Sequence, residues 1–215
     1  MMEENTSQTP VVDDARSREI LGLAWGGAAH FAELLAQEGE LRGLIGPREL
    51  PKLWTRHVLN SAAVARFLPD EGSLADVGSG AGLPGVVLAL MHPELEVHLV
   101  EPMQRRVEWL HEVVEELDLD NVTVHQVRAE ELHGRLRVDV VTARAVAALD
   151  KLARICLPLV AAGGRLLAQK GQRASAEVEK AQPVLRKLGV VDVTIHEVDM
   201  LDDGDVTRVV EARKK

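Results

Sequence analysis

The hydrophobic pattern of the chain changes about a third of the way along it. Before residue 70, apolar residues recur at helical spacing in Arg16–Gln37 and again in Leu53–Phe67, with a glycine- and proline-rich connection between the two segments. From Ser73 onward, short apolar runs alternate with amphipathic segments of helical length. The pattern predicts a helical extension over residues 1–70, packed on an α/β core over residues 71–215.

The alternation in the core predicts a doubly wound, Rossmann-like sheet. Strands that are separated by helices run parallel and are covered on both faces. Near the end, Val190–Val198 and Val206–Ala212 flank an acidic turn that is too short for a helix, so the sheet should finish in an antiparallel hairpin. The other predicted strands are Leu74–Val77, Val97–Val100, Val122–Val127, Val138–Thr142 and Arg165–Gln169, and the predicted core helices are Gly85–Met91, Met103–Leu117, Ala148–Leu159 and Ala174–Leu188.

Composition narrows the class of protein. The single cysteine, Cys156, can form neither an internal disulfide nor a zinc cluster, and no histidine or carboxylate cluster has metal-ligand spacing, so no metal site is expected. No apolar run approaches the length of a membrane span, and the start of the chain is polar and acidic. We therefore expect a cytoplasmic protein with no membrane contact and no obligate protein partner. The net charge of −9 argues against a uniformly basic nucleic-acid surface.

The densest run of glycine, LADVGSGAGLPG, directly follows the first predicted strand of the core. The segment from Gly80 to Gly85 matches the dinucleotide pattern G-x-G-x-x-G, and Glu101 ends the next strand, where such enzymes hold a ribose. A nicotinamide enzyme is therefore one hypothesis. Asp76 argues against it, because a carboxylate aimed at the loop repels a pyrophosphate and suits a ligand that carries an ammonium and a sulfonium. A third possibility is that the glycines only allow close packing of strand and helix.

The spacing D-x-G-x-G-x-G, followed by a strand-end acid, resembles the first two motifs of the S-adenosylmethionine-dependent methyltransferases. The resemblance implies that Gly78 and Gly80 let the backbone approach the methionine part of the cofactor and that Glu101 accepts hydrogen bonds from its ribose. The loop after the third strand would then flank the adenine, with the Ala129 backbone and the Glu130 carboxylate available to its amino group.

Residues at the remaining strand ends indicate which chemical group accepts the methyl. The loop after the fourth strand lacks the proline–aromatic motif of many amino-group methyltransferases, and Cys156 lies in an apolar stretch that predicts burial rather than nucleophilic attack. Arg144 and Lys170, which follow the fourth and fifth strands, are the candidate catalytic residues. Such a site suits guanine N7, whose lone pair needs no general base.

Six segments, LWTRHVLNSAAV, LADVGSGAGLPGVVLAL, LVEPMQRRVEWL, RAEEL, DVVTARAVAAL and LLAQKG, occur in the order seen in the bacterial RsmG (GidB) family of ribosomal RNA methyltransferases. The resemblance implies methylation of N7 of one guanine in 16S ribosomal RNA, free or in the small-subunit particle, with S-adenosylmethionine as the donor. The family's cofactor contacts would correspond to Gly78, Leu83, Ala129, Glu130 and Arg144, with Glu101 at the ribose. One departure is Asn60, which stands where the family usually has aspartate.

Basic residues near these motifs are candidates for RNA contact. They are Arg56, His57, Arg105, Arg106, Lys170 and Arg173. The terminal Arg213–Lys215 is expected to be a solvated tail. Two further hypotheses stay open at this point, namely an S-adenosylmethionine-dependent small-molecule methyltransferase and a non-catalytic RNA-binding or assembly protein on the same fold.

Overall fold

One seven-stranded sheet organises the computed structural model, which describes residues 15–201 and 204–215. The strand order is β3-β2-β1-β4-β5-β7-β6, in which β1 to β5 are parallel and β7 is antiparallel to both β5 and β6. The predicted α/β class and the predicted terminal hairpin are thus confirmed. The strands are β1 (Gly72–Val77), β2 (Leu95–Val100), β3 (Val122–His125), β4 (Val138–Arg144), β5 (Val160–Lys170), β6 (Val190–Asp199) and β7 (Val206–Lys214).

Helices cover both faces of the sheet. Because side chains alternate along a strand, Leu74 of β1 packs into the hydrophobic cluster on one face and its neighbour Ala75 into the cluster on the other. Cys156 is fully buried in the second cluster, as its apolar surroundings predict, and burial raises the pKa of its thiol. The helices are α1 (Ala15–Leu21), α2 (Trp25–Glu38), α3 (Asn60–Ala65), α4 (Gly85–Met91), α5 (Gln104–Glu116), α6 (Leu149–Cys156) and α7 (Ala174–Lys187).

The helical segments before the sheet differ in detail from the prediction. Gly22, at φ +54°, breaks the expected single helix into α1 and α2. The second predicted helix begins as a π-helical segment, Leu53–Leu59, and continues as α3. Phe31 and Leu59 lie in the same buried cluster as Leu74 of β1, so these segments pack on the sheet face. Residues of the connection between them reach the carboxyl ends of the strands. The acidic stretch Met1–Asp14 lies outside the described residues.

The end of the chain corrects one expectation. Arg213 and Lys214 do not form a solvated tail, because both belong to β7 and Arg213 pairs with Arg165 of β5. The Lys214 ammonium donates to the carbonyl oxygens of Leu157 and Val160 at 2.9 and 2.8 Å. Within the described ranges, no helix has the length and apolar character to cross a bilayer.

Candidate functional site

A cavity of about 590 Å³ opens at the carboxyl ends of β1, β2 and β4, and we call it the crevice. Its walls come from the glycine loop after β1, the residues after β2 and β3, the end of β4, and the connection that precedes the π-helical segment. Open parallel sheets bind ligands at this edge. The sequence-predicted residues that line it are Gly78, Gly80, Leu83, Glu101, Ala129, Glu130 and Arg144, together with His57 and Arg106 from the candidate RNA contacts.

The glycines of the loop divide into two pairs. Gly78 and Gly80 line the crevice and have φ values of +74° and +56°, which side-chain-bearing residues rarely adopt. Gly82 and Gly85 face the protein interior: a Cβ at Gly82 would overlap buried side chains, and one at Gly85 would lie 2.7 Å from Oδ2 of Asp76. The first pair therefore gives a ligand access to the backbone, and the second allows α4 to pack closely on β1.

Glu101 presents a fixed carboxylate to the crevice. Its side chain is almost fully buried, and its two oxygens accept hydrogen bonds from the backbone N–H groups of Gly80 at 3.0 Å and Met103 at 2.9 Å. The Arg106 guanidinium lies 3.6 Å away. A carboxylate offers about four lone-pair positions, so Glu101 keeps the capacity to accept further hydrogen bonds from ligand hydroxyls.

Asp76 lies beneath the crevice instead of lining it. The strand alternation that turns Leu74 toward one face turns Asp76 toward the same face, under the start of α4. There its Oδ2 accepts a hydrogen bond from the N–H of Gly85 at 3.0 Å, while Oδ1 has no partner among the described residues. Burial raises the pKa of this carboxyl to about 7. Asp76 therefore supports the glycine loop by contact from beneath the crevice.

Arg144, at the end of β4, is a largely buried cation. Burial lowers the pKa of its guanidinium, and the charge of Asp76 opposes that shift. Within residues 15–201 and 204–215, no carboxylate oxygen lies within 4.0 Å of its nitrogens. Its hydrogen-bond neighbour is Nδ1 of His57, at 3.5 Å from Nη2. A largely buried cation with no close carboxylate partner among the described residues favours an anionic group on a ligand.

A second cavity of about 970 Å³ adjoins the crevice, and we call it the second pocket. The two cavities share one wall, formed by Glu49, His57, Arg144, Ala145 and Val146. The second pocket also contains the predicted RNA contacts Arg56, Lys170 and Arg173, and Arg208 of β7, which the sequence analysis missed. No sequence signal marks Arg208, because it belongs to a hairpin strand whose contact with the site depends on the sheet order.

Lys170 is bound within the wall of the second pocket. Its side chain is 8% exposed, and its ammonium donates to the carbonyl oxygen of Ala147 at 2.6 Å and lies 3.0 Å from the Glu177 carboxylate. Glu177 also accepts a hydrogen bond from the N–H of Leu149, at the start of α6. Lys170 thus holds the loop between β4 and α6 in place, and that loop bounds both cavities.

Asn60, the departure from the family pattern, joins three elements. Its amide nitrogen donates to the carbonyl oxygen of Arg56 at 3.2 Å, and its amide oxygen accepts a hydrogen bond from the Thr207 hydroxyl on β7. Its backbone carbonyl accepts a hydrogen bond from Gln169 on β5 at 2.6 Å. Asn60 therefore links the π-helical segment, β5 and β7 at the wall of the second pocket. Arg105, in contrast, is exposed and lines neither cavity.

Glu49 is the other residue that the sequence analysis missed. It lies in the glycine- and proline-rich connection, lines both cavities, and accepts a hydrogen bond from Nε2 of His57 at 3.0 Å. Nothing in the local pattern marks it, because the connection has no periodicity that would indicate which side chains face the site. Among the described residues, no group of three or more histidine, cysteine or carboxylate side chains could hold a metal ion.

Solved structures with a similar fold include methyltransferases of low sequence identity. The structure of M. jannaschii TYW2 in complex with AdoMet has a TM-score of 0.58 and 16% identity, over 74% of this chain and 75% of that one. Precorrin-6y C5,15-methyltransferase from Geobacter metallireducens has a TM-score of 0.54 and 16% identity, over 80% of this chain and 91% of that one. These similarities concern the fold.

Relatives with much higher sequence identity are ribosomal RNA methyltransferases by name. Ribosomal RNA small subunit methyltransferase G of Beutenbergia cavernae is 64% identical over 207 residues, which are 96% of this chain and 98% of the relative. The protein of the same name from Thermobifida fusca is 54% identical over 177 residues, 82% of this chain and 75% of the relative. The family described as GidB, rRNA small subunit methyltransferase G, matches residues 27–203. The chain belongs to this rRNA small subunit methyltransferase G family.

Proposed function

We propose that the protein transfers a methyl group from S-adenosylmethionine to N7 of one guanine in 16S ribosomal RNA, free or within the small-subunit particle. One observation carries the proposal: the crevice and the second pocket share a wall at His57 and Arg144. A donor in one cavity and a base in the other would meet at that wall. The proposal places the reaction in the cytoplasm and needs neither a membrane nor an obligate protein partner.

The crevice fits S-adenosylmethionine in size and in chemistry. Its volume of about 590 Å³ lies within the range of small-molecule sites, roughly 300–1,000 Å³. Gly78 and Gly80 expose backbone where the methionine part would lie, and the fixed Glu101 carboxylate suits the ribose hydroxyls. Ala129 and Glu130 offer a backbone and a carboxylate to the adenine, and Arg144 suits the cofactor carboxylate. When bound, S-adenosylmethionine supplies an electrophilic methyl group on a positively charged sulfur.

The second pocket fits an RNA nucleotide. Arg56 lies 3.6 Å from the Asp205 carboxylate and Arg208 lies 2.8 Å from the Glu197 carboxylate, and both arginine side chains are partly exposed. Arg173 is exposed at the start of α7. Arginines in this position can exchange exposed ion pairs for phosphate contacts, since exposed ion pairs contribute little stability. The acidic chain would thus bind RNA through a local basic surface.

The reaction at N7 makes few chemical demands on the protein. N7 carries an in-plane lone pair and no proton, so the site has to orient the base and exclude water, and it needs no general base. The structure agrees with this requirement, because His57, the imidazole at the shared wall, already has Glu49 and Arg144 as hydrogen-bond partners. Arg144 can present N–H donors to a substrate oxygen or phosphate near the reacting atom.

Labelled methyl transfer tests the proposal. Small subunits and free 16S RNA that lack the modification are incubated with the protein and methyl-labelled S-adenosylmethionine, and the RNA is cleaved chemically at N7-methylguanosine. We expect transfer by the wild type, none by Glu101→Ala, and normal transfer by Glu96→Ala, an exposed residue on β2, the strand that precedes Glu101. Label in a metabolite pool but not in RNA would favour a small-molecule methyltransferase. RNA binding without transfer would favour an assembly protein, and thermal protection by NAD alone would favour the nicotinamide hypothesis.

A further inference from the structure

Glu49, His57 and Arg144 form a hydrogen-bonded chain along the wall that the two cavities share. Nε2 of His57 lies 3.0 Å from Oε2 of Glu49, and Nδ1 of His57 lies 3.5 Å from Nη2 of Arg144. The imidazole side chain is only 18% exposed. Two of the three residues come from segments before the sheet, and the third comes from β4.

The chemistry of the three groups fixes the direction of every hydrogen bond. A guanidinium can only donate, so Nδ1 of His57 must accept from Arg144. Nε2 then carries the imidazole proton and donates a hydrogen bond to the Glu49 carboxylate. The chain therefore requires the neutral imidazole with its proton on Nε2. A proton on Nδ1 would face the N–H groups of Arg144 and break the second bond.

Burial favours this neutral state of the imidazole. Burial and the neighbouring Arg144 lower the pKa of His57, the hydrogen bond and charge of Glu49 raise it, and Arg56 lowers it further. Burial outweighs the carboxylate, because the net shift of the pKa is downward. The imidazole is thus placed to act as an acceptor for Arg144, while its contact with RNA stays a prediction.

We propose that Glu49 and His57 are positioning residues, which hold the Arg144 guanidinium at the shared wall and so set the geometry of methyl transfer. The inference rests on the proposed function, because it assigns a role within that same site. Arg144 has no carboxylate within 4.0 Å among the described residues, so its position depends on this chain and on its ligands. These hydrogen bonds also make the position of Arg144 depend on the correct packing of the helical segments against the sheet.

A double-mutant cycle tests the coupling. The measured quantity is kcat/KM for methyl transfer by the wild type, His57→Ala, Arg144→Ala and the double variant. We expect His57→Ala to lose about tenfold, as for a hydrogen bond to a charged group, and Arg144→Ala to lose more. The double variant should match Arg144→Ala, because His57 acts through Arg144. If the two losses multiply, His57 acts independently and the proposal is wrong. Thermal unfolding of each variant identifies any loss that comes from folding.

A pH profile supplies a readout that a purely structural role would not change. Because protonation of Nδ1 releases Arg144, the wild type should lose kcat/KM toward acid pH. His57→Gln keeps one acceptor and one donor but cannot be protonated, so it should retain activity and lose this acid limb. The control is His30→Gln, on α2, where the imidazole lies on the surface beside Glu116. Because burial also raises the pKa of Asp76 to about 7, both profiles are measured again with Asp76→Asn added. An acid limb that persists in His57→Gln in that background would overturn the proposal.

The proposal and the proposed function fail separately. If the wild type transfers no methyl group to RNA, the proposed function fails. The same double-mutant cycle can then be measured on the affinity for S-adenosylhomocysteine by calorimetry, which needs no RNA. Non-additive effects on that affinity would support the positioning role at the crevice, and additive effects would contradict it.

Discussion

Replacing Glu101 by glutamine changes one oxygen of the crevice into an amide nitrogen. In the wild type, the two carboxylate oxygens accept from the N–H groups of Gly80 and Met103, and Arg106 lies 3.6 Å away. A glutamine offers a single acceptor oxygen, so one of the two backbone donors loses its partner. An unpaired buried donor costs about 1–3 kcal/mol, which should appear as lower stability of the free protein.

The effect on cofactor binding is separate and can be calculated. Hydrogen bonds to an ionised acceptor are roughly twice as strong as those between neutral groups, a difference of about 1 kcal/mol for each bond. Two ribose hydroxyls on Glu101 would thus lose about 2 kcal/mol in the variant. That loss corresponds to an affinity for S-adenosylhomocysteine that is weaker by about 30-fold.

Calorimetric titration with S-adenosylhomocysteine measures this effect, and chemical unfolding shows that the variant is folded. The matched control is Glu96→Gln, on β2 just before Glu101; its side chain is 67% exposed, and the variant should keep the wild-type affinity. A folded Glu101→Gln protein that binds as tightly as the wild type would refute the assignment of Glu101 to the ribose.

Three further predictions concern pH, packing and RNA. Burial raises the pKa of Asp76 to about 7, so between about pH 4 and pH 7 the folded protein holds a proton that the unfolded chain has lost. The free energy of unfolding should therefore fall by about 4 kcal/mol over this range, and urea titrations of Asp76→Asn should lack this loss. Gly85→Ala should lower the free energy of unfolding by about 1–3 kcal/mol in the same assay, because the new Cβ would lie 2.7 Å from a carboxylate oxygen of Asp76. Gly26→Ala, whose Cβ would enter open space, should not destabilise the protein, and equal effects of the two substitutions would contradict the packing argument. Arg173→Ala should reduce the slope of log affinity for RNA against log salt by about one, and Arg186→Ala, at the other end of α7, should not change it.

Much of the fold follows from local patterns in the sequence. Alternating apolar runs and helical segments fix a parallel sheet, and the short acidic turn between the last two strands leaves room only for a hairpin. Parallel strands present their carboxyl ends at one edge of the sheet. The sequence therefore already placed at one edge the residues that end or follow β1, β2 and β4, which are Gly78, Glu101 and Arg144. The break at Gly22 was missed because the apolar spacing continues across it.

The parts of the site that were not foreseen depend on tertiary docking. His57 and Arg144 are 87 positions apart, and their contact requires the segments before the sheet to pack on its face. Asp76 is different, since strand alternation already places it on the same face as Leu74 and thus under α4. Lys214 also needed the three-dimensional structure, because its carbonyl partners, Leu157 and Val160, lie between the end of α6 and the start of β5.

In the proposed reaction, a methyl donor in the crevice meets a guanine in the second pocket. Unmodified small subunits are incubated with the protein and labelled S-adenosylmethionine, and the 16S RNA is then analysed by mass spectrometry, both as nucleosides and as ribonuclease fragments. We expect the label as N7-methylguanosine, in one fragment only. Label on a ribose, an exocyclic amine or another base, or no label while S-adenosylhomocysteine binds, would contradict it.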